Sequence, residues 1–325
     1  MSVTRTVVTG VGAYLPENVV TNADLAKFVD TSDSWIIERT GIRERRNAAE
    51  GQATSDLAVE AAKRALAAAG RTPAEVDLII VATTTADMTF PATAAFVQKK
   101  LGCPIAPAFD IQAVCSGFVY ALSVADGFIT RGHARCALVI GAECMSRLMD
   151  YQDRTTCVLF GDGAGAVVVE PGEGTGTIQD RGLLSFALRC DGTKSDILFV
   201  DGGPSTNGKV GHLRMQGQAV FKNAVVNIAE AVEAAAAAGG ITMDDIDWFV
   251  PHQANQRILA GVANRLGIDE AKVISTVAHH ANTSAASIPL ALDEAIQDGR
   301  IKKGDLVLME AMGGGLTWGA CAIRL

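Results

Sequence analysis

The side chains best suited to chemistry in this chain are a thiol, an imidazole and a carboxamide: Cys115 in AFDIQAVCSGFVYALSVADGF (108–128), His252 in VPHQANQR and Asn282 in HHANTSAAS. Cys115 stands where a short apolar strand turns into a helix of small and apolar residues. A cysteine at a helix start feels the positive end of the helix dipole and unpaired N–H groups, which favour thiolate and predict a lowered pKa. Ser116 and Gly117 leave room above the sulfur, while Phe118, Leu122, Val124 and Phe128 make the helix apolar all round, as a helix inside a large core must be. The same burial suits a cysteine that only packs, and the local sequence leaves both roles open.

A nucleophile needs polar partners, and five histidines make the search short. His133 is expected in a surface turn, His212 in the Gly-rich loop GGPSTNGKVGHLR, and His279 and His280 at the end of a strand. His252 follows an apolar strand just before a helix, the place where α/β sheets hold ligands, although a core histidine fits there too. Asn282 is expected to open a helix, as a partner of Cys115 or as an ordinary N-cap in competition with Thr283 and Ser284. Gly313-Gly314-Gly315 after a strand offers either free amides for an oxyanion beside the Cys115 amide or a tight turn.

The elements that must position these groups read as strands alternating with helices. Strands are predicted at Thr6–Gly12, Leu78–Thr83, Ala137–Gly141, Ala164–Glu170, Trp248–His252 and Leu306–Glu310, with helices at Ser55–Ala69, Thr93–Leu101 and Val225–Ala238. Gly70 is placed to end the first helix. Uniformly apolar strands between helices predict a largely parallel sheet covered on both faces. The chain also repeats itself. AAGRTPAEVD (68–77) returns as AGGITMDDID (238–247), Leu101-Gly102 as Leu266-Gly267, the Cys115 helix as the one at Asn282, and Ala137–Gly141 as Leu306–Glu310. Four matches in one order imply two pseudo-symmetric halves, 1–172 and 173–325, with the site at their interface.

Composition excludes several classes of protein. A 325-residue chain that is 49% hydrophobic, with mean hydropathy +0.23, can bury a large core. Its longest apolar runs, such as Leu78–Ala82 and Val167–Val169, fall far short of the roughly 18 residues that cross a bilayer. No export signal is visible at the N-terminus, so a cytoplasmic location is expected. Seven scattered cysteines without a C-x-x-C pair point to reduced thiols rather than disulfides or zinc. A net charge of -8 argues against nucleic-acid binding, while leaving room for a local basic patch that meets an acidic partner. Gly10-Val-Gly12 and Gly161-Asp-Gly163-Ala-Gly165-Ala166 touch the dinucleotide fingerprint, but one runs into Pro16 and the other into a strand, so neither aims a helix N-terminus at phosphate. No metal and no bound cofactor are expected.

Cys115, HQANQR, NTSAAS and the ending GGGLTWGACAIRL, together with NADLAKFVDTSDSWIIERTGIRERR, FGDGAGA and ALDEAIQDGRIK, resemble the β-ketoacyl-acyl-carrier-protein synthase III family over essentially the whole chain. These are the initiating condensing enzymes of bacterial type II fatty-acid synthesis. The resemblance implies an α/β thiolase-like five-layer αβαβα sandwich with duplicated halves. It implies a ping-pong reaction in which Cys115 takes acetyl from acetyl-CoA, a substrate, and passes it to malonyl-acyl-carrier protein with loss of CO2. His252 and Asn282 would stabilise the enolate, and the amides of Cys115 and Gly314 the acyl-transfer oxyanion. Trp35 and Arg154, with Thr31 and Arg39, resemble a clasp for the CoA adenine, and Gly217, Phe221, Ala254 and Asn255 resemble its pantetheine channel. Phe90, Leu159 and Met312 correspond to the acyl pocket, Phe90 reaching across a homodimer to the partner's site, which predicts short primers.

The acidic carrier protein needs a positive landing place, for which Arg257, Arg265 and Lys222 are the candidates. Two departures stand out: Met312 where many members carry Phe, and Ala281 where Gly is usual, with an ordinary backbone expected at Ala281. Neither removes a catalytic atom. Competing readings are a specialised synthase III-like enzyme of secondary metabolism with another acyl-CoA primer, or a non-catalytic acyl-binding scaffold. A degradative thiolase would use a second cysteine, and Cys321 lies inside the last apolar strand; an elongating synthase would pair two histidines.

Overall fold

Leu78–Ala82 is buried at every residue, and its side chains divide by strand alternation between two cores: Leu78, Ile80 and Ala82 enter one, Ile79 and Val81 the other. That double burial sets the architecture. The structure, a computed structural model, describes residues 2–325. It begins with β1 (Val3–Tyr14), β2 (Asn18–Thr21), α1 (Asn22–Leu25), α2 (Asp33–Thr40) and β3 (Glu44–Asn47), β2 and β3 pairing as a ribbon. There follow α3 (Thr54–Ala69), β4 (Leu78–Ala82), α4 (Thr93–Leu101), β5 (Ala108–Ile111), α5 (Gly117–Thr130), β6 (Ala137–Cys144) and β7 (Asp162–Gly174). The second half runs through β8 (Gly182–Cys190), the ribbon of β9 (Leu198–Val200) and β10 (Leu213–Met215), α6 (Gly217–Gly239), β11 (Trp248–Pro251) and α7 (Gln256–Leu266). It closes with α8 (Val277–His280), α9 (Ser287–Gln297), β12 (Leu306–Gly313) and β13 (Thr317–Arg324).

Two sheets result, ordered β1-β7-β6-β4-β5 and β11-β12-β13-β8. Helices α5 and α9 fill the space between them, α3 and α4 cover the outside of the first sheet, and α6 and α7 the outside of the second. The five-layer αβαβα sandwich is therefore borne out. The largely parallel pairing is not. β4 pairs in parallel with β5 and β6, and β11 with β12, but β1–β7, β6–β7, β12–β13 and β8–β13 are antiparallel. Between β6 and β7 there is no crossover α-helix, only a 3-10 turn at Met145–Leu148 and loop, and β12 returns as β13 through a short turn, so each of these strands comes back against its neighbour.

The repeat is visible in detail. Gly70 and Gly240 both end their helices in the left-handed region, at φ 65° and 66°, and each is followed by a capping box, Thr72 with Glu75 and Thr242 with Asp245. β7 runs to Gly174. Asn282, however, is not the counterpart of Cys115. The turn that begins α5 spans Val114–Ser116 and the one that begins α9 spans Ser284–Ala286; Val114 and Ser284 share a left-handed φ of 50° and 51°. Cys115 thus matches Ala285, and the helix expected to open at Asn282 opens at Ser287. The apolar run ASIPLA hides this boundary, because small residues suit both a turn and a helix. His279 and His280 end helix α8, not a strand. Helix α6 starts earlier than its Ala-rich stretch, at Gly217.

Gly10 and Gly12 have a packing role: a methyl on either would overlap the backbone of α3 around Ala61 to Ala69, so they let that helix lie directly on β1.

Ala281 corrects a further expectation. Its φ of 58° and ψ of -161° lie in a region that only glycine enters freely, and the strain costs about 1–3 kcal/mol. Ala281→Gly is expected to raise the unfolding free energy by about 1 kcal/mol, the strain relief exceeding the added chain entropy. Urea denaturation tests this, and a lower midpoint at unchanged slope would contradict it.

Candidate active site

Cys115 is the middle residue of the Val114–Ser116 turn and is buried. A lattice of polar contacts fixes the turn. The Ser116 hydroxyl lies 2.7 Å from the Ala113 carbonyl and 2.9 Å from the Thr317 hydroxyl, which also lies 2.9 Å from the Ala113 carbonyl and 3.1 Å from the Gly314 carbonyl. The strand β12 closes over it: a methyl on Gly313 would overlap the Cys115 amide nitrogen. Gly314 follows, backed by the Leu198 carbonyl, in the turn between β12 and β13. Burial pushes the Cys115 thiol up to about 12, against the lowering expected from the helix start. The Ser284 hydroxyl pulls the thiol's pKa down, and the nearby Glu143 carboxylate pushes it up. Desolvation outweighs the helix end, and the sulfur rests as a thiol.

His252 follows the last residue of β11, its backbone N–H donating to the Glu310 carbonyl at 2.8 Å. Its ring is buried, and burial alone lowers its pKa to about 3, so the imidazole is neutral. Nδ1 lies 2.7 Å from the Ser287 hydroxyl, which already accepts the Gln253 N–H at 3.3 Å. Among the described residues Nδ1 is the only acceptor this hydroxyl meets, so Ser287 donates to Nδ1 and Nε2 carries the proton. Gln253 itself is fully buried; it donates to the carbonyls of Pro251 and Ile274 and accepts from the amides of Thr276 and Val277. It welds the His252 loop to the segment that leads to Asn282. Asn282 in turn donates its backbone N–H to Leu159 and accepts from the Gly161 N–H, both at 3.0 Å. Its Oδ1 accepts the Ser284 N–H at 2.9 Å, which orients the carboxamide and leaves Nδ2 without a protein acceptor among the described residues.

The three groups meet around one seam. The Cys115 turn packs on the Ser284–Ala286 turn, His252 is bonded to Ser287 just beyond it, and Asn282 to Ser284. The sequence gave no role to Gln253, Ser287 or Glu143, and to Ser284 only that of a cap. The only available signal was polar residues inside apolar or small-residue runs, which also suits caps and surface turns.

Two guanidiniums lie over the ring of Trp35, half-buried on α2: Arg39 at 4.4 Å and Arg154 at 5.2 Å from the ring centre. Arg154 is steadied by the Asp30 carbonyl at 2.9 Å, and the Thr31 hydroxyl is buried without a partner. The end of α2 at Gly41 abuts Gln256, the first residue of α7. Asn255 caps α7 by accepting the Ile258 N–H at 3.0 Å, Ala254 packs into the core beneath it, and Phe221, 43% exposed on α6, faces Gly261 of α7. Gly217 opens α6 beside Met215. The expected CoA residues therefore lie on or next to the adjoining elements α2, α6 and α7.

Leu159 is buried next to the Asn282 backbone, and Met312 is buried next to Gly313. Phe90 is not at this site within one chain: it is 82% exposed, between β4 and α4. Arg257 and Arg265 on α7 and Lys222 on α6 are exposed and make no ion pair among the described residues. Among the described residues, His279, His280 and Glu294 have metal-ligand spacing, but that carboxylate is already engaged by both imidazoles, at 2.8 and 3.2 Å, and by Arg300 at 3.3 Å. No helix is long and apolar enough to cross a membrane among the described residues.

Family models describing 3-oxoacyl-[acyl-carrier-protein] synthase III and its C-terminal part match residues 109–192 and 236–325. The β-ketoacyl-[acyl-carrier-protein] synthase III of Caulobacter vibrioides is 74% identical over 321 residues, covering 99% of this chain and 100% of that protein. Its counterpart in Rhodospirillum rubrum is 65% identical over 322 residues, 99% of each. The crystal structure of the 3-oxoacyl-[acyl-carrier-protein] synthase III of Aquifex aeolicus VF5 superposes with a TM-score of 0.93 at 47% identity, covering 98% of this chain and 100% of that one.

The tautomer of His252 is directly measurable. Nitrogen-15 NMR of the labelled imidazole should show a neutral ring with the proton on Nε2 between about pH 5 and pH 8. Titration of this ring near its ordinary value, or a proton on Nδ1, would refute the arrangement.

Proposed function

The chain belongs to the β-ketoacyl-[acyl-carrier-protein] synthase III family, and from that membership we infer the reaction: the decarboxylative condensation that initiates fatty-acid synthesis. Acyl-CoA and acyl carrier protein are its substrates. The observation that supports the residue assignment is that the turn of the buried Cys115 packs on the Ser284–Ala286 turn, with a carboxamide with a free Nδ2 hydrogen-bonded to Ser284 and a neutral imidazole with Nε2–H to the adjoining Ser287.

In the first half-reaction Cys115 Sγ attacks the thioester carbonyl of acetyl-CoA. The oxyanion lies between the amides of Cys115 and Gly314, where backbone donors fixed by β12 need no reorganisation. CoA leaves and the acetyl group stays on sulfur. Trp35 with Arg39 and Arg154 receives the adenine, a planar base between planar cations and an indole, while Gly217, Phe221, Ala254 and Asn255 line the way for pantetheine. In the second half-reaction malonyl-carrier protein loses CO2, and the bonding pair becomes an enolate. No proton has to be removed, so the site needs donors rather than a base. His252 Nε2–H and Asn282 Nδ2–H supply them in a desolvated setting where such bonds gain strength. The carbanion carbon then attacks the acetyl carbonyl, Cys115 leaves, and acetoacetyl-carrier protein is released.

The exposed Phe90, with Met88 at 58% exposed, gives this chain an apolar prominence suited to a second copy, whose acyl pocket Phe90 would close. Such a ring favours a primer as short as acetyl. The unpaired Arg257, Arg265 and Lys222 form the landing place for the acidic carrier protein.

Two experiments test the assignment. Intact-mass spectrometry after mixing with acetyl-CoA should show one acetyl group, lost in Cys115→Ala and discharged by malonyl-carrier protein; no adduct would refute the role of Cys115. Arg257→Glu should lower kcat/KM for the carrier substrate about tenfold while leaving acetyl-adduct formation unchanged. Equal turnover with the carrier substrate would refute the docking site.

A further inference from the structure

Asn282 is pinned at its backbone by Leu159 and Gly161, but the terminal torsion of an asparagine is soft. Among the described residues one hydrogen bond sets the direction of the carboxamide, from the Ser284 N–H to Oδ1 at 2.9 Å. The aim of Nδ2 therefore depends on the backbone at Ser284. That residue has a φ of 51°, a left-handed conformation that a serine holds only where its surroundings impose it. Its buried side chain shows what does so: the hydroxyl donates to Oε1 of Glu143 at 3.0 Å. Glu143, on β6, is buried too, and its carboxyl is itself held from the other side. The Thr84 N–H lies 3.1 and 3.0 Å from the two oxygens, Thr85 gives Oε2 its N–H at 3.1 Å and its hydroxyl at 2.7 Å, and the Thr83 hydroxyl lies 3.3 Å from Oε2. The Thr85 hydroxyl also accepts the Cys144 N–H at 2.8 Å, which ties the turn after β4 to the end of β6. From this platform in the first half of the chain the carboxyl reaches one residue of the second half, Ser284.

We propose that Glu143 is a positioning residue for Asn282. By holding the Ser284 hydroxyl it keeps that residue in its left-handed turn, and the Ser284 N–H then keeps Asn282 Nδ2 aimed at the enolate oxygen. The inference rests on the reaction proposed above, in which Asn282 acts only in the second half-reaction. Glu143 touches no substrate and moves no proton; it acts through two hydrogen bonds in series. The Cys115 turn has supports of its own, the Ser116 and Thr317 hydroxyls on the Ala113 carbonyl, so acetyl transfer does not depend on the same chain of contacts. A buried carboxyl is costly to keep, and the five oxygen and nitrogen donors of Thr83, Thr84, Thr85 and Ser284 around it show that it is kept as an anchor.

The test follows the two half-reactions separately in single turnovers. Acetyl-adduct formation is read by intact mass, and carbon dioxide release by the acetylated enzyme from radiolabelled malonyl-carrier protein. Glu143→Gln and Ser284→Ala should each slow release up to about 100-fold at saturating carrier substrate, the loss that follows from a misplaced donor. Adduct formation should change by no more than about threefold. Added to Asn282→Ala, either substitution should cost almost nothing further, as expected of groups acting in series. Glycine enters the left-handed turn freely, so Ser284→Gly should release carbon dioxide faster than Ser284→Ala. A general loosening of the structure would instead slow both half-reactions alike and add to the loss in Asn282→Ala, and either result overturns the proposal. So does unchanged release in the folded variants, or Ser284→Gly no faster than Ser284→Ala. Should Glu143→Gln fail to fold, the Ser284 variants decide alone. A native protein that takes no acetyl group, or releases no carbon dioxide once acetylated, refutes the reading of the reaction and the proposal with it.

Discussion

The rest of the structure depends on the contact between two copies of one turn, Val114–Ser116 and Ser284–Ala286, which meet in the middle of the sandwich. Each begins with a left-handed residue and feeds a central helix, and Cys115, Ser116 and all three residues of the second turn are buried. A left-handed β-branched valine and a left-handed serine are costly, and the surrounding layers hold them there. The reward is positional: Cys115 sits at the crest of one turn, while the other carries Ser284 and stands between Asn282 and Ser287. A shift of either turn would displace nucleophile and donors together.

Burial then fixes the protonation of each group. Removing water raises Cys115 to about 12, lowers His252 to about 3, and raises Glu143 to about 7 and Glu310 to about 8, so every one moves toward its neutral form. Condensation by decarboxylation suits such a site. It creates negative charge on a substrate oxygen without first removing a proton, so neutral donors of fixed direction are what the transition state requires. The two hydroxyls that matter, Ser284 and Ser287, differ in what they serve. One donates to the buried Glu143 carboxyl beside the Cys115 turn, and the other selects the tautomer of the imidazole.

Small residues make this crowding possible. Gly313 lets β12 approach the Cys115 amide, and the glycines of β1 let α3 rest directly on the sheet. On the exposed side of the site the chemistry changes to open, charged surfaces: Trp35 with two guanidiniums over its ring, and unpaired cations on α6 and α7. The rigid interior and the adaptable rim thus lie within one short stretch, from Gly41 against Gln256 to the His252 loop.

By itself the sequence determined the alternation of strands with helices and the repeated segments, through local signals: apolar runs of strand length, 3.6-residue spacing in α3, and Gly70 and Gly240 at helix ends. The five layers followed from the family resemblance, and Cys115, His252 and Asn282 stood as candidates on residue type and position. Tertiary structure decided what depends on distant neighbours. Strand direction followed from connections that carry no crossover helix, which apolar composition does not encode. The true partner of Cys115 in the repeat is Ala285, because equivalence is set by backbone conformation and small residues fit several registers. Ala281 takes up a backbone that its side chain disfavours, imposed by Asn282 and α8 on either side. The Cys115 thiol is raised rather than lowered, because the helix end is visible in the sequence while the depth of its burial exists only once both halves have closed around it.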